Sequence, residues 1–253
     1  MPRPAVILVG ADKGGVGKTT VARTLLDYFS AHQMPTRAFD TESPRGTLKR
    51  FHPDLTEVVD VTSVADQMKI FDTLSSSEAW VTVIDVRAGL LSSTLQALSD
   101  IGFLESAKRG QITFAVFHIL GPSIASLDEI EQTARFVGDA HYFLVKNFIN
   151  NTTFFEWDPE TYNSYFSRIK NAIEVTIPKL SEMACEQVEV AGTPYVTFIA
   201  NKTASGSPGN NSFVLRGYVR HWLGNVWAEY DRAKLMDLVM PQGETGNVRQ
   251  AAG

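Results

Sequence analysis

The stretch Ala5–Thr20, AVILVGADKGGVGKTT, decides how the rest of the chain is read. Its first half is an apolar run without polar alternation, the texture of a strand buried on both faces. Its second half gathers Gly14, Gly15 and Gly17 with Lys13 and Lys18 into one short turn, and a helical pattern, Thr19 to His32, follows at once. In such a strand–turn–helix the backbone N–H groups and the helix N-terminus converge on phosphate oxygens, and glycines allow the close approach. Lys18 is placed to reach the β and γ phosphates, the Thr19 hydroxyl to hold Mg2+, and Thr20 to meet the α phosphate. The strict pattern GxxxxGK[ST] is not met, because its first glycine falls on Asp12. That leaves Lys13 to be explained.

Outward from this stretch, strand-like runs recur at Thr36–Phe39, Trp80–Val86, Gln111–Leu120 and Tyr142–Ile149, with weaker ones at Glu57–Val61, Ile173–Ile177 and Tyr195–Ile199. Helical patterns lie between them at Val64–Leu74, Leu91–Ala107 and Ile124–Val137. The alternation predicts an α/β chain with a doubly wound, mostly parallel sheet flanked by helices, a three-layer α/β/α arrangement. Two segments interrupt it. Asn150–Lys170 is rich in aromatic residues and is expected to be an inserted helix that packs its rings onto the sheet. From Ser212 to Met240 a long helix is predicted, with Leu215, Tyr218, Val219, Trp222, Leu223, Val226 and Tyr230 as its apolar stripe.

Further acidic and amide residues fall at strand ends, where ligands of open α/β sheets bind. Asp85 closes the apolar run of WVTVIDVRAG, where a carboxylate would hold Mg2+ through water. Asp40 and Glu42 follow the second strand in RAFDTES, and Asn147 ends the strand YFLVKN. The guanine-reading pattern NKxD is not formed: Asn147 lacks the lysine after it, and Asn201–Lys202 lacks the aspartate at Ala204.

KGGVGKTT resembles the deviant Walker A box, KGGxGK[ST], of the ParA/MinD family, whose relatives include the nitrogenase iron protein. The resemblance covers about residues 4–200 and implies a P-loop NTPase fold with MgATP as substrate. It implies that Gly14, Gly15, Val16, Gly17, Lys18, Thr19 and Thr20 cradle the phosphates, and that Lys13 crosses to the partner's nucleotide in an ATP-dependent homodimer. Asp40 and Glu42 then match the two acidic positions of switch I, the second of which positions the attacking water; Glu42 stands where the family has Asp. DVRAG resembles the family's DxPAG, with Arg87 for Pro and Gly89 offering its N–H to the γ phosphate. Asn147 matches the adenine-reading Asn, and Pro178 in TIPKL the proline loop that flanks the base. A slow ATPase stimulated by an activating partner protein, serving partitioning, positioning or plasmid maintenance, is the implied function. The alternatives are a P-loop small-molecule kinase or synthetase, against which Lys13 speaks, and a nucleotide-gated binding module with little hydrolysis.

Domain organisation follows: an ATPase domain over 1–204 with an insertion near 150–170, a helix over 205–241 packed on the same domain, and a disordered tail over 242–253. A net charge of −5 argues against a surface wholly committed to nucleic acid. Nonspecific DNA remains a candidate partner through Arg216, Arg220, Arg232 and Lys234, and membrane contact is not expected. One cysteine, Cys185, cannot form an internal disulfide or a CxxC metal pair, and the apolar runs are all shorter than a membrane span. A cytoplasmic location is expected.

Overall fold

A computed structural model describes residues 3–138, 140–149, 152–166, 169 and 171–240. The expected disordered tail, 242–253, and Asn150, Asn151, Ser167, Arg168 and Lys170 of the aromatic segment lie outside the described residues. Along the chain come β1 (Ala5–Gly10), α1 (Lys18–Ala31), β2 (Thr36–Asp40), α2 (Thr47–Phe51), β3 (Thr56–Val58), α3 (Val64–Phe71) and β4 (Val81–Asp85). There follow α4 (Leu91–Asp100), α5 (Phe103–Lys108), β5 (Thr113–Leu120), α6 (Ile124–Val137), β6 (His141–Asn147) and α7 (Pro159–Phe166). The rest is β7 (Ala172–Ile177), α8 (Glu182–Ala191), α9 (Tyr195–Ile199), α10 (Phe213–Arg232) and α11 (Leu235–Val239).

The strands form one seven-stranded sheet in the order β3-β2-β4-β1-β5-β6-β7, every neighbouring pair parallel. β1 sits at its centre and explains its own composition. Ala5, Ile7 and Val9 face the cluster built on α1 and α10, while Val6 and Leu8 face the cluster built on α3, α4 and α6. Both faces are covered, so the run has no solvent side on which a polar residue is tolerated. Truncating Ile7 or Leu8, both fully buried, would cost about 2–5 kcal/mol.

Three local expectations give way to tertiary packing. Tyr195–Ile199 reads as a strand from its aromatic and β-branched residues but forms the helix α9. Pro194 precedes it, the buried Asp27 carboxylate of α1 accepts the Tyr195 N–H at 2.8 Å, and Tyr195 and Phe198, three apart, go into the core. The Leu91–Ala107 pattern breaks into α4 and α5 at Gly102, whose φ of 75° ends a helix without the strain that a Cβ would bring. In the last helix Lys234, at φ 54°, separates α10 from α11, and Tyr218 of the expected stripe is 55% exposed while its six companions are buried.

α10 is nonetheless tied firmly to α1 and to the end of β7. Tyr230 and Thr24 of α1 share a hydroxyl hydrogen bond of 2.7 Å, the Trp222 indole donates to the Pro178 carbonyl at 2.6 Å, and Glu229 accepts the Thr176 N–H at 2.9 Å. On the opposite side, Lys146 pins the aromatic segment. The residue is 6% exposed, and its ammonium donates to Glu156 at 2.7 Å, lies 3.0 Å from Glu174, and faces the Tyr162 and Phe166 rings. Burial alone would depress the basicity of Lys146, but the hydrogen bonds to Glu156 and Glu174 outweigh it and raise its pKa. Phe154 and Phe166 are buried against the sheet, and Trp157 stays 73% exposed.

Candidate nucleotide site

The C-terminal ends of β1, β2 and β4 open onto a pocket of about 290 Å³ lined by Gly15, Lys18, Thr19, Asp40, Glu42 and Asp85 among others. The parallel register explains the convergence, since Asp40 and Asp85 are paired neighbours at the ends of β2 and β4. The Thr19 hydroxyl donates to Asp85 Oδ2 at 2.7 Å, and the Lys18 ammonium donates to the Lys13 carbonyl at 3.3 Å. Burial lowers the Lys18 pKa, opposed by the charges of Asp85, Glu42, Glu129 and Asp12. For Asp85, 4% exposed, burial pushes the pKa up to about 7; the Thr19 bond and Lys18 oppose this, while Asp40 and Glu42 add to it. The pocket thus holds an excess of buried carboxylate around one ammonium, a balance that a bound cation would relieve.

Thr19 and Asp85 are hard oxygen donors within hydrogen-bond reach of each other, the donor set of a Mg2+ that keeps most of its waters and takes phosphate oxygens. Among the described residues no three His, Cys, Asp or Glu side chains group to hold a metal by themselves.

The two acids after β2 differ in what they are free to do. Asp40, 1% exposed, accepts the N–H groups of Glu42 at 2.9 Å, Leu48 at 2.6 Å and Lys49 at 3.2 Å. It caps α2, whose N-cap position is Gly46 with no side chain to offer, and so shapes the loop rather than standing free as a base. Glu42 is half-buried at the pocket wall, and one of its oxygens accepts the Thr47 hydroxyl. The two loops around the phosphate space are also stitched together: the Thr41 N–H reaches the Asp85 carbonyl at 3.0 Å, and Thr41 Oγ1 accepts the Arg87 N–H at 2.7 Å. Thr41 and Thr47 escaped the motif reading; their only signal is a hydroxyl within a few residues of an acidic strand end.

Val16 is buried and Lys13, Gly14 and Gly15 are exposed. The Lys13 side chain makes no hydrogen bond or ion pair with a described residue. Gly17 has φ 87°, and a Cβ there would lie 2.2 Å from Asn147 Nδ2. The reason is that Asn147, 4% exposed, donates to the Val16 carbonyl at 2.9 Å and so braces the loop from β6. Its amide carries a second N–H. Beside it, Phe148, Phe155, Trp157, Pro122, Pro178 and Thr176 line a groove of about 790 Å³. Gly121, next to Pro122, approaches the Val16 side chain closely: a Cβ there would lie 3.1 Å from Val16 Cγ1.

The candidate DNA-facing cations are less available. Arg216 donates to the Ile199 carbonyl at 3.2 Å, and Arg232 pairs with Glu229 at 2.8 Å and reaches the Glu174 carbonyl at 2.6 Å. Arg220 and Lys234 are exposed. No helix among the described residues is long and apolar enough to cross a membrane.

No family model and no curated protein matches the chain. Solved structures do. A nucleotide-binding protein from Archaeoglobus fulgidus in complex with ADP is 16% identical, with 74% of this chain and 86% of that one covered and a TM-score of 0.50. A protein described as a plasmid partition protein, from Borrelia burgdorferi B31 and bound to AMPPNP, is 12% identical, covers 91% and 99%, and has a TM-score of 0.50. The MinD cell division protein of Aquifex aeolicus is a looser match, 14% identical over 87% and 97% with a TM-score of 0.48. At these identities the likeness is one of fold, and the parallel sheet, its flanking helices and the loop after β1 give this chain the three-layer α/β/α architecture of P-loop nucleoside triphosphatases.

Proposed function

We propose that the chain is a nucleotide switch of the ParA/MinD type, which binds MgATP in the loop Lys13–Thr20, dimerises around it and hydrolyses it slowly. The observation that carries this reading is the contrast between the two lysines. Lys18 is drawn into the pocket beside Thr19 and Asp85, whereas the exposed Lys13 side chain has no partner among the described residues. An ammonium left free at the edge of a phosphate pocket suits a nucleotide held by a second copy, where it stabilises charge on the transferring phosphoryl group only after assembly.

In this reading Gly14, Gly15, Val16 and Gly17 offer backbone N–H groups, Lys18 binds the β and γ phosphates, and Thr20 the α phosphate. Thr19 and, through water, Asp85 hold Mg2+, which neutralises phosphate charge when bound. Glu42 is the residue that orients the attacking water, because the Asp40 carboxylate already accepts three N–H groups. Its longer arm and its bond to Thr47 support slow hydrolysis. The groove between Pro178 and the Phe148, Phe155 and Trp157 rings takes the base, with Asn147 next to Phe148 at its edge to read the adenine amino group. Partner proteins and partitioning or positioning roles belong to this reading; DNA has less support, since Arg216 and Arg232 are engaged within the chain.

Light scattering with and without MgATP tests the proposal. The wild-type chain is expected to double in mass with nucleotide, Lys18→Ala to stay monomeric because it binds none, and Lys13→Ala to bind yet stay monomeric. A Lys13→Ala protein that dimerises and turns over like wild type defeats the sandwich.

A further inference from the structure

Asp12 stands where the strict phosphate loop has glycine, and its contacts run away from the phosphate space. Its carboxylate accepts the Ser92 backbone N–H at 3.3 Å through Oδ1 and the Ser92 hydroxyl through Oδ2. Ser92 is the second residue of α4, whose own N-cap position, Leu90, has no side-chain acceptor. A carboxylate brought in from another element satisfies an orphan N–H there and meets the positive end of the helix dipole. From the other side the Asp12 N–H donates to Glu129 Oε2 of α6 at 3.2 Å, and Glu129 in turn lies 3.5 Å from the buried His118 Nε2. Residue 12 is therefore held between two helices.

The next residue is Lys13. Its backbone is fixed on one side by Asp12 and on the other by the hydrogen bond from Lys18 to its carbonyl, while its side chain stays exposed. α4 begins directly after the turn Arg87–Leu90, of which Arg87 and Ala88 line the phosphate pocket. A γ phosphate that displaced that turn would move the start of α4, and the Asp12–Ser92 link would pass the displacement to the base of Lys13.

We propose that Asp12 is a positioning residue that couples the turn after β4 to Lys13, so that the lysine is presented to a second copy of the chain when a triphosphate fills the pocket. The proposal rests on the nucleotide-sandwich reading above. It predicts that Asp12 and Ser92 act as one unit, and that their loss separates nucleotide binding from assembly.

Hydrogen exchange on the full chain, apo and with MgAMPPNP, tests this in wild type, Asp12→Ala, Asp12→Asn and Ser92→Ala, with dimerisation followed by light scattering. In wild type, nucleotide should slow exchange both in the loop 13–20 and at the start of α4, 91–95. In Asp12→Ala and Ser92→Ala the loop protection should persist, the α4 protection should vanish, and dimerisation should weaken by about tenfold or more while nucleotide affinity moves less than about threefold. Asp12→Asn, which keeps an acceptor oxygen, should fall between, and the double variant should be no worse than either single one. Nucleotide protection of 91–95 in Asp12→Ala equal to wild type overturns the coupling, as does an equal loss of affinity and assembly. Wild type that protects 13–20 and 91–95 but stays monomeric defeats the sandwich and supports the coupling; wild type that leaves 13–20 unprotected defeats both.

Discussion

Substituting Asp27 with Asn should make the protein more stable than wild type in a way that grows with pH. Asp27 is 1% exposed beneath the N-terminus of α9, where Oδ2 accepts the Tyr195 N–H. Burial pushes its pKa up from 3.8 to about 7, against the opposing pull of the Tyr195 N–H, the Arg23 charge and the Val196 N–H. Between about pH 4 and 7 the unfolded chain has therefore released a proton that the folded chain keeps. The unfolded state binds fewer protons, so stability falls as pH rises through this window. A shift of roughly three units at about 1.4 kcal/mol each sets a ceiling of about 4 kcal/mol. Asn keeps a carbonyl for the Tyr195 N–H and has nothing to titrate, so its advantage should appear near pH 4 and level off near pH 7. His52, whose Nε2 lies 3.9 Å from Asp27 Oδ1, is held neutral down to about 3 by burial and by Arg23; it has the opposite slope below about 6.5, and because it faces a protonated Asp27 or a neutral Asn through this window that slope is shared by both proteins. Urea unfolding of both proteins at half-unit steps from pH 4 to 8 supplies the curves. Parallel curves, or a wild type that gains on the variant as pH rises, would refute the account of a buried, proton-holding carboxyl.

Gly17→Ala should abolish nucleotide binding while leaving the core folded, because Ala at φ 87° is strained by about 1–2 kcal/mol and its Cβ would displace the Asn147 amide 2.2 Å away. Equilibrium dialysis with MgATP, beside a melting curve, checks it. Trp157→Ala should weaken nucleotide binding by about 1–3 kcal/mol if the base stacks in the groove, and unchanged affinity would remove the groove from the base site. Lys146→Met should destabilise the chain by about 3 kcal/mol, since Glu156 and Glu174 lose a common partner, and denaturant unfolding reads the loss directly.

What the sequence made legible follows from how local each signal is. β1, its glycine turn and α1 are adjacent in the chain, so the phosphate loop was readable as a unit, and the unbroken apolar strands gave the parallel sheet. Tyr195–Ile199 was misread because its strand-like residues are overruled by Asp27, 168 positions earlier, which supplies the cap that makes the segment a helix. The Asp40 and Glu42 positions were readable, but their division of labour was not: it depends on α2, a five-residue helix too short to show a period. Asp12 registered only as a missing glycine. Its partners, Ser92 and Glu129, lie 80 and 117 residues away and meet it only once β1, β4 and β5 are side by side.

Calorimetric titration of the wild-type chain and of Lys18→Ala with MgATP bears most directly on the central claim. One nucleotide per chain is expected for wild type, with affinity lost by about a hundredfold or more when the Lys18 ammonium is removed, the equivalent of about 3 kcal/mol. Equal binding by both proteins, or none by wild type, would contradict it.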